Sequence, residues 1–275
     1  MKKNVVFVWD QNPFNVRDDE GWDNPNGSYW GIGDIIRGIL TTYAVCQKYN
    51  YNFYIDFQKH PISKLLIDNH HPFYTEVKNN NKITFVWKKS IDKYMSQHPD
   101  DLIMIMNCQK YEMNQINLEK EDQNILNYLS KIFTPTPLFL EKMIYMKEKY
   151  QVPSNYHILH FRLGQCEKKN NYIDNILLQK CINIYLKYQI NRIVVISDSI
   201  ILKNELQKLN AKMIPFRNIS HLGYQNDLSL VENTLIEFFL LMNAKSIITF
   251  SKFSWISGFA KYAAIIKNVP LFQIK

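Results

Sequence analysis

Short, β-branched apolar runs alternate along this chain with longer stretches in which apolar residues recur at helical spacing, and the alternation is most regular after residue 150. There the pattern predicts strands over 156–162, 192–197, 212–215, 246–250 and 270–274, and helices over 174–188, 200–209, 227–243 and 253–264. Such alternation points to a mainly parallel sheet flanked by helices, because a parallel strand pair needs a long crossover. The first half is less uniform. An apolar run over 3–9 predicts a buried strand, and a long polar segment over 10–29 follows, of a length that fits either an acceptor-holding loop or a decorated rim. Ile35, Ile36, Ile39, Leu40 and Tyr43 then mark the inner face of a helix running to about residue 49. Strands are predicted over 52–57, 83–87 and 102–107, and helices over 118–133 and 138–150. Thr134-Pro135-Thr136-Pro137 interrupts those last helices, since each proline biases its predecessor away from helix, and marks a linker between domains of residues 1–135 and 136–275.

Open α/β sheets bind ligands beyond the carboxyl ends of their strands, and the polar residues of this chain fall there. His160 and Arg162, two apart in one predicted strand, project from the same face. The next strand ends in Ser197-Asp198-Ser199, and a third in Ser251-Lys252-Phe253-Ser254-Trp255. Hydroxyls and helix-start amides suit phosphate oxygens, a guanidinium suits the charge, and a carboxylate suits a base or a ribose. Ser199 and Ser251 also fit plain helix N-caps, and Asp198 fits a cap or turn residue. In the first half, Gly31-Ile32-Gly33-Asp34 opens a helix whose amides favour an anion, and the same residues fit an ordinary strand-to-helix turn.

Composition narrows the class. A chain of 275 residues with 46% hydrophobic content can bury one large core or two medium ones. The formal charge of +8 favours anionic ligands, but the lysines are dispersed and no nucleic-acid signature is present, so a nucleic-acid partner is not expected. Cys46, Cys108, Cys166 and Cys181 form no CxxC pair, which leaves neither a zinc site nor a disulfide framework and fits a reducing compartment. The first apolar run is too short for a signal segment, and the longest run, 235–242, is interrupted by Glu237. A cytoplasmic protein without a membrane span is expected.

Four blocks, Gly31-Ile32-Gly33-Asp34, His160-Phe161-Arg162-Leu163-Gly164, Ser197-Asp198-Ser199 and residues 237–260 with their Ser251-Lys252-Phe253-Ser254-Trp255, resemble in order the motifs of the GT-B fucosyltransferase superfamily. That group spans the α1,2- and α1,6-fucosyltransferases and the protein O-fucosyltransferases. The resemblance implies an α/β, GT-B-like fold of two Rossmann-like domains facing a cleft, the N-terminal one on the acceptor side and the C-terminal one binding the nucleotide sugar. It implies inverting transfer of fucose from GDP-fucose to a glycan or protein hydroxyl, with no metal or other cofactor. Carried over by residue, Arg162 would hold the β-phosphate and stabilise departing GDP, and His160 would shape the donor pocket. Asp198 would contact the guanine. Ser251, Phe253 and Ser254 would line the phosphate and base pocket, while Gly31, Gly33 and Asp34 would approach the diphosphate or fucose. Arg37 joins this donor set because a carboxylate at Asp34, where the family often has Asn, needs a cation to offset it. Many members follow the arginine with Arg-Gly-Asp, whereas Leu163-Gly164-Gln165 stands here, so the carboxylate base candidates are Glu167 and Asp34. The alternatives are a non-catalytic sugar-nucleotide or glycan-binding protein of the same fold, favoured by Gln165, and a GT-B transferase with another nucleotide sugar.

Overall fold

A computed structural model describes residues 2–12, 16–17, 23–24, 27–67, 83–86, 90–108, 123–164, 173–189, 192–216 and 227–274. The chain forms two compact units, Met1–Thr136 with Leu222–Leu228, and Pro137–His221 with Ser229–Lys275.

The first unit is built on β1 (Asn4–Val8), β4 (Asn52–Asp56), β5 (Thr84–Val86) and β6 (Leu102–Asn107), in the order β4-β1-β6-β5 with every pairing parallel. A parallel sheet is covered on both faces, which is why β1 and β6 are continuous apolar runs instead of alternating ones. A two-residue antiparallel pair, β2 (Val16–Arg17) and β3 (Asp23–Asn24), lies between β1 and the first helix. That helix, α1 (Ile32–Lys48), buries Ile35, Ile36, Ile39 and Leu40 as their spacing requires. One glycine fixes how close it comes. A Cβ on Gly38 would stand 1.6 Å from the carbonyl oxygen of Asn107, the last residue of β6, so α1 rests backbone to backbone on the sheet. A 3-10 turn (Pro61–Lys64) and α2 (Ile91–Gln97), capped by Ser90 Oγ accepting from Lys93 N, are short elements without a clear periodic signal. α3 (Gln123–Ile132) completes the unit; the first residues of the helix expected over 118–133 lie outside the described residues.

The second unit opens with α4 (Pro137–Lys149), whose first residue is proline, a position where the missing N–H costs nothing. Its sheet contains β7 (His157–Arg162), β8 (Ile193–Ser197), β9 (Ile247–Ser251) and β10 (Leu271–Ile274), all parallel, in the order β10-β9-β7-β8. The linking helices are α5 (Asn175–Tyr188), α6 (Ile200–Lys208), α7 (Leu228–Met242) and α8 (Gly258–Lys267). Phe161, Leu163, Val195 and Phe250 pack with Cys181 and Ile184 of α5 and with Leu202 and Leu206 of α6. Asp174 caps α5 through Leu177 N and Ser199 caps α6 through Leu202 N, so both helices start where the sequence places them. Among the described residues no helix is long and apolar enough to cross a membrane.

Two expectations fail here. Residues 212–215 form no strand: a bond from Val195 N to Lys212 O joins them to β8, after which Pro215 has no N–H to give and Phe216 N turns back to Ile214 O. The helix expected from residue 253 begins only at Gly258, because Ser251 Oγ accepts from Phe253 N at 3.2 Å and holds the chain in a tight turn. Ser251 therefore caps no helix. Gly38→Ala is expected to destabilise the protein by about 3 kcal/mol, the upper end for overpacking against a partner that cannot yield, as a drop in denaturation midpoint; an unchanged midpoint would refute the backbone contact.

Candidate functional site

The register of the second sheet aligns the three polar strand ends. Arg162 stands opposite Ser251 of β9, Phe161 stands opposite Ser197 of β8, and His160 stands opposite Thr249. Asp198, one residue past β8, is thereby beside the end of β7. Its carboxylate accepts from Leu163 N and Gly164 N, both at 2.7 Å, and from Arg162 Nη1 at 2.6 Å. The Arg162–Asp198 pair is largely buried, where such charge-assisted bonds are strong. Gly164 has φ +69°, a conformation glycine takes without strain, and its N–H is bonded to Asp198. The result is a strand end at which one guanidinium and two backbone amides converge on a single anionic group.

His160 lies one turn of the pleat below. It is 3% exposed, with Nδ1 2.9 Å from Thr249 Oγ1 and its ring beside Phe259 of α8. Burial pushes its pKa down to about 4; Asp198 opposes the shift, while Arg162 and Lys203 add to it. The side chain is buried and neutral, and Thr249 fixes its ring.

Beneath these groups is a pair that sequence reasoning missed. Lys203 of α6 bonds Glu237 of α7 at 2.8 Å, and both side chains are 4% exposed. Burial pushes the Glu237 carboxyl up, Lys203 pulls it down, and Asp198 adds to the upward push. The available signal was Glu237 itself, a carboxylate inside the apolar run of α7, which can be buried only with a cationic partner.

Ser251 is nearly buried and Ser254 is exposed. Phe253 packs on Gly164, where an added Cβ would come within 2.8 Å of the Phe253 ring, and it stacks on Trp255 with centroids 4.8 Å apart. These residues share the strand-end region with Arg162 and Asp198. Glu167 and Gln165 lie outside the described residues.

The first unit has its own helix start. Gly31 is the N-cap residue of α1, in extended conformation and without a side-chain cap bond, and Gly33 follows in the first turn. Asp34 is paired with Arg37 at 2.8 Å, and Arg37 Nε also donates to Cys108 O at 3.0 Å. Arg37 thus supplies the offsetting cation that a carboxylate in this turn requires.

Two measurements test this electrostatic picture. An unfolded histidine takes up a proton near pH 6.5 and folded His160 only near 4, so stability is intact above about 6.5 and falls as pH drops through this window, by on the order of 3 kcal/mol. His160→Asn is expected to flatten that slope in denaturation curves; an identical slope in the variant would contradict a neutral buried His160. Lys203→Met, which strands Glu237, is expected to cost about 3–5 kcal/mol, most of it recovered by adding Glu237→Leu. Equal losses in the single and double variants would show that the pair is not the origin of the effect.

No family model matches the sequence, and no curated protein matches it. Solved structures do. The α-1,6-fucosyltransferase NodZ co-crystallised with GDP is 13% identical, with a TM-score of 0.57 over 100% of this chain and 96% of that one. The fucosyltransferase NodZ from Bradyrhizobium is 12% identical at a TM-score of 0.56, over 98% of this chain and 95% of that one. A variant of Arabidopsis thaliana FUT1 in complex with GDP is 12% identical at a TM-score of 0.55, over 99% of this chain and 70% of that one. The chain has the GT-B-like α/β fold of these fucosyltransferases.

Proposed function

We propose that the protein is an inverting glycosyltransferase that moves fucose from GDP-fucose to an acceptor hydroxyl. The observation that carries this reading is Arg162, set at the carboxyl end of β7 by Asp198 on a fold shared with fucosyltransferases. Solved neighbours include NodZ co-crystallised with GDP and NodZ soaked with GDP-fucose, which supports the same donor here.

In this reading the acceptor hydroxyl attacks the anomeric carbon in line as GDP leaves. The developing negative charge sits on the leaving diphosphate, and a preorganised guanidinium is the group best able to stabilise it. Arg162 serves that role, while the Leu163 and Gly164 amides stay bonded to Asp198 and hold the loop. Asp198, expected to contact the guanine, is committed to three donors and acts chiefly by fixing Arg162 in direction. His160, Ser251, Phe253 and Ser254 line the donor pocket in this reading, and Gly31, Gly33, Asp34 and Arg37 form the helix start that the N-terminal, acceptor-side domain offers to an anion. A proton taken by Asp34 would break its pair with Arg37, so Glu167 is the proposed base. The resemblance implies no metal, and none is part of this proposal.

A thermal-shift panel of GDP, UDP, ADP and CDP sugars separates this donor from the others, with GDP-fucose expected to give the largest stabilisation. Arg162→Ala is expected to lower the transfer rate by about 10²–10³ while the protein stays folded. Near-normal turnover in that variant would remove Arg162 from the mechanism. GDP binding without release of fucose to any acceptor would favour the non-catalytic reading.

A further inference from the structure

Helix α4 is apolar on two sides. Phe139 and Met143 face inward, the Phe139 ring lies 6.1 Å from that of Phe239 on α7, and Lys142 pairs with Glu232 of the same helix. The outward side carries Leu138, 78% exposed, with Leu140, Ile144 and Tyr145 each more than two-fifths exposed. Four of the ten large apolar side chains exposed among the described residues thus stand on one helix of 13 residues. Single exposed apolar residues are ordinary, but a concentration of them marks a contact surface. A helix apolar all round is a buried helix, so the outer side of α4 calls for a second partner.

Charge decides what that partner is. Glu141-Lys142 recurs seven residues later as Glu148-Lys149, so the two pairs fall on the same side of the helix, two turns apart. Leu138 and Tyr145 share the seven-residue spacing, and Ile144 lies between the glutamates. All four charged side chains are exposed. A helix lying on a bilayer keeps its charges away from the lipid, and anionic headgroups would repel two glutamates set within the apolar stripe. A second copy of α4 fits instead. Run parallel, it would set Glu141 against Glu141. Run antiparallel about a two-fold axis at Tyr145, it sets Glu141 against Lys149 and Lys142 against Glu148, each contact made twice by symmetry. Lys149 already stands along that seam, with Nζ 5.6 Å from the centre of the Tyr145 ring.

We infer that the outer face of α4 is a self-association surface, on which two copies of the chain pack their α4 helices antiparallel. At 1.5 Å per residue the helix is about 20 Å long, too short alone to supply the ~800 Å² per partner of a standard interface, so the dimer is weak and forms at high concentration. The test is sedimentation velocity of the full chain between about 1 and 300 μM, where the wild type is expected to pass from one copy towards two. Glu141→Lys, which sets like charges against each other twice, should weaken association about tenfold or more. Glu141→Lys combined with Lys149→Glu exchanges the two signs and should restore it. Both positions are exposed, and circular dichroism checks that each variant keeps the fold. A chain that stays monomeric throughout, a dimer indifferent to Glu141→Lys, or a double variant no better than the single one would each overturn the inference. So would a monomer that co-sediments with phosphatidylserine–phosphatidylcholine vesicles, which would give this face to a membrane.

Discussion

The geometry of the second unit turns on one carboxylate. Asp198 reaches from the end of β8 to the end of β7, accepts from two consecutive backbone amides and an arginine, and so holds the Arg162 loop in one conformation. Without it, a guanidinium on a long side chain would have many rotamers and no preferred direction, and an interaction that stabilises developing charge must be in place before the charge appears. The parallel register makes the reach short, since Phe161 is paired with Ser197 and the next residue on each strand falls side by side. Gly164, the second amide donor, takes a positive φ there. Sheet register, turn glycine and ion pair thus act as one device.

That device stands on charges sealed off from water. The Lys203–Glu237 pair joins α6 to α7, and its field and that of Asp198 both act on neighbouring groups, including a His160 kept neutral by burial. Buried ion pairs are weak sources of net stability but strongly constrain how helices pack, because either partner alone is costly. Here the constraint falls on α6 and α7. The first unit uses a different device for a similar purpose: Gly38 brings α1 onto β6, and the Asp34–Arg37 pair with the Cys108 carbonyl orders the first turn.

Much of this was legible in the residues. Strand and helix positions followed from period, because a covered parallel sheet writes itself as apolar runs separated by amphipathic stretches, and β7, β8 and β9 fell where those runs were. The strand-end cluster was legible too, as polar residues at the carboxyl ends of three such runs. Other features depend on contacts between residues distant in sequence. Thr249 reads as one more β-branched strand residue until the register sets it against His160. Lys203 reads as an ordinary helix lysine until Glu237 appears beside it. The start of α8 was misplaced because Ser251 fits an N-cap pattern, and only the bond to Phe253 N shows that it closes a turn instead. Residues 212–215 have strand composition, and Pro215 with the turn after it keeps them out of the ladder.

In the proposed transferase the end of β7 is a preorganised diphosphate site. The most direct measurement is a GDP titration followed by NMR on protein labelled for the Leu163 and Gly164 amides and the Arg162 guanidinium. Saturable, concerted shifts are expected at all three, with the two amides remaining protected from exchange as Asp198 keeps hold of the loop. GDP binding that leaves these three signals unmoved would place the diphosphate elsewhere and contradict the account.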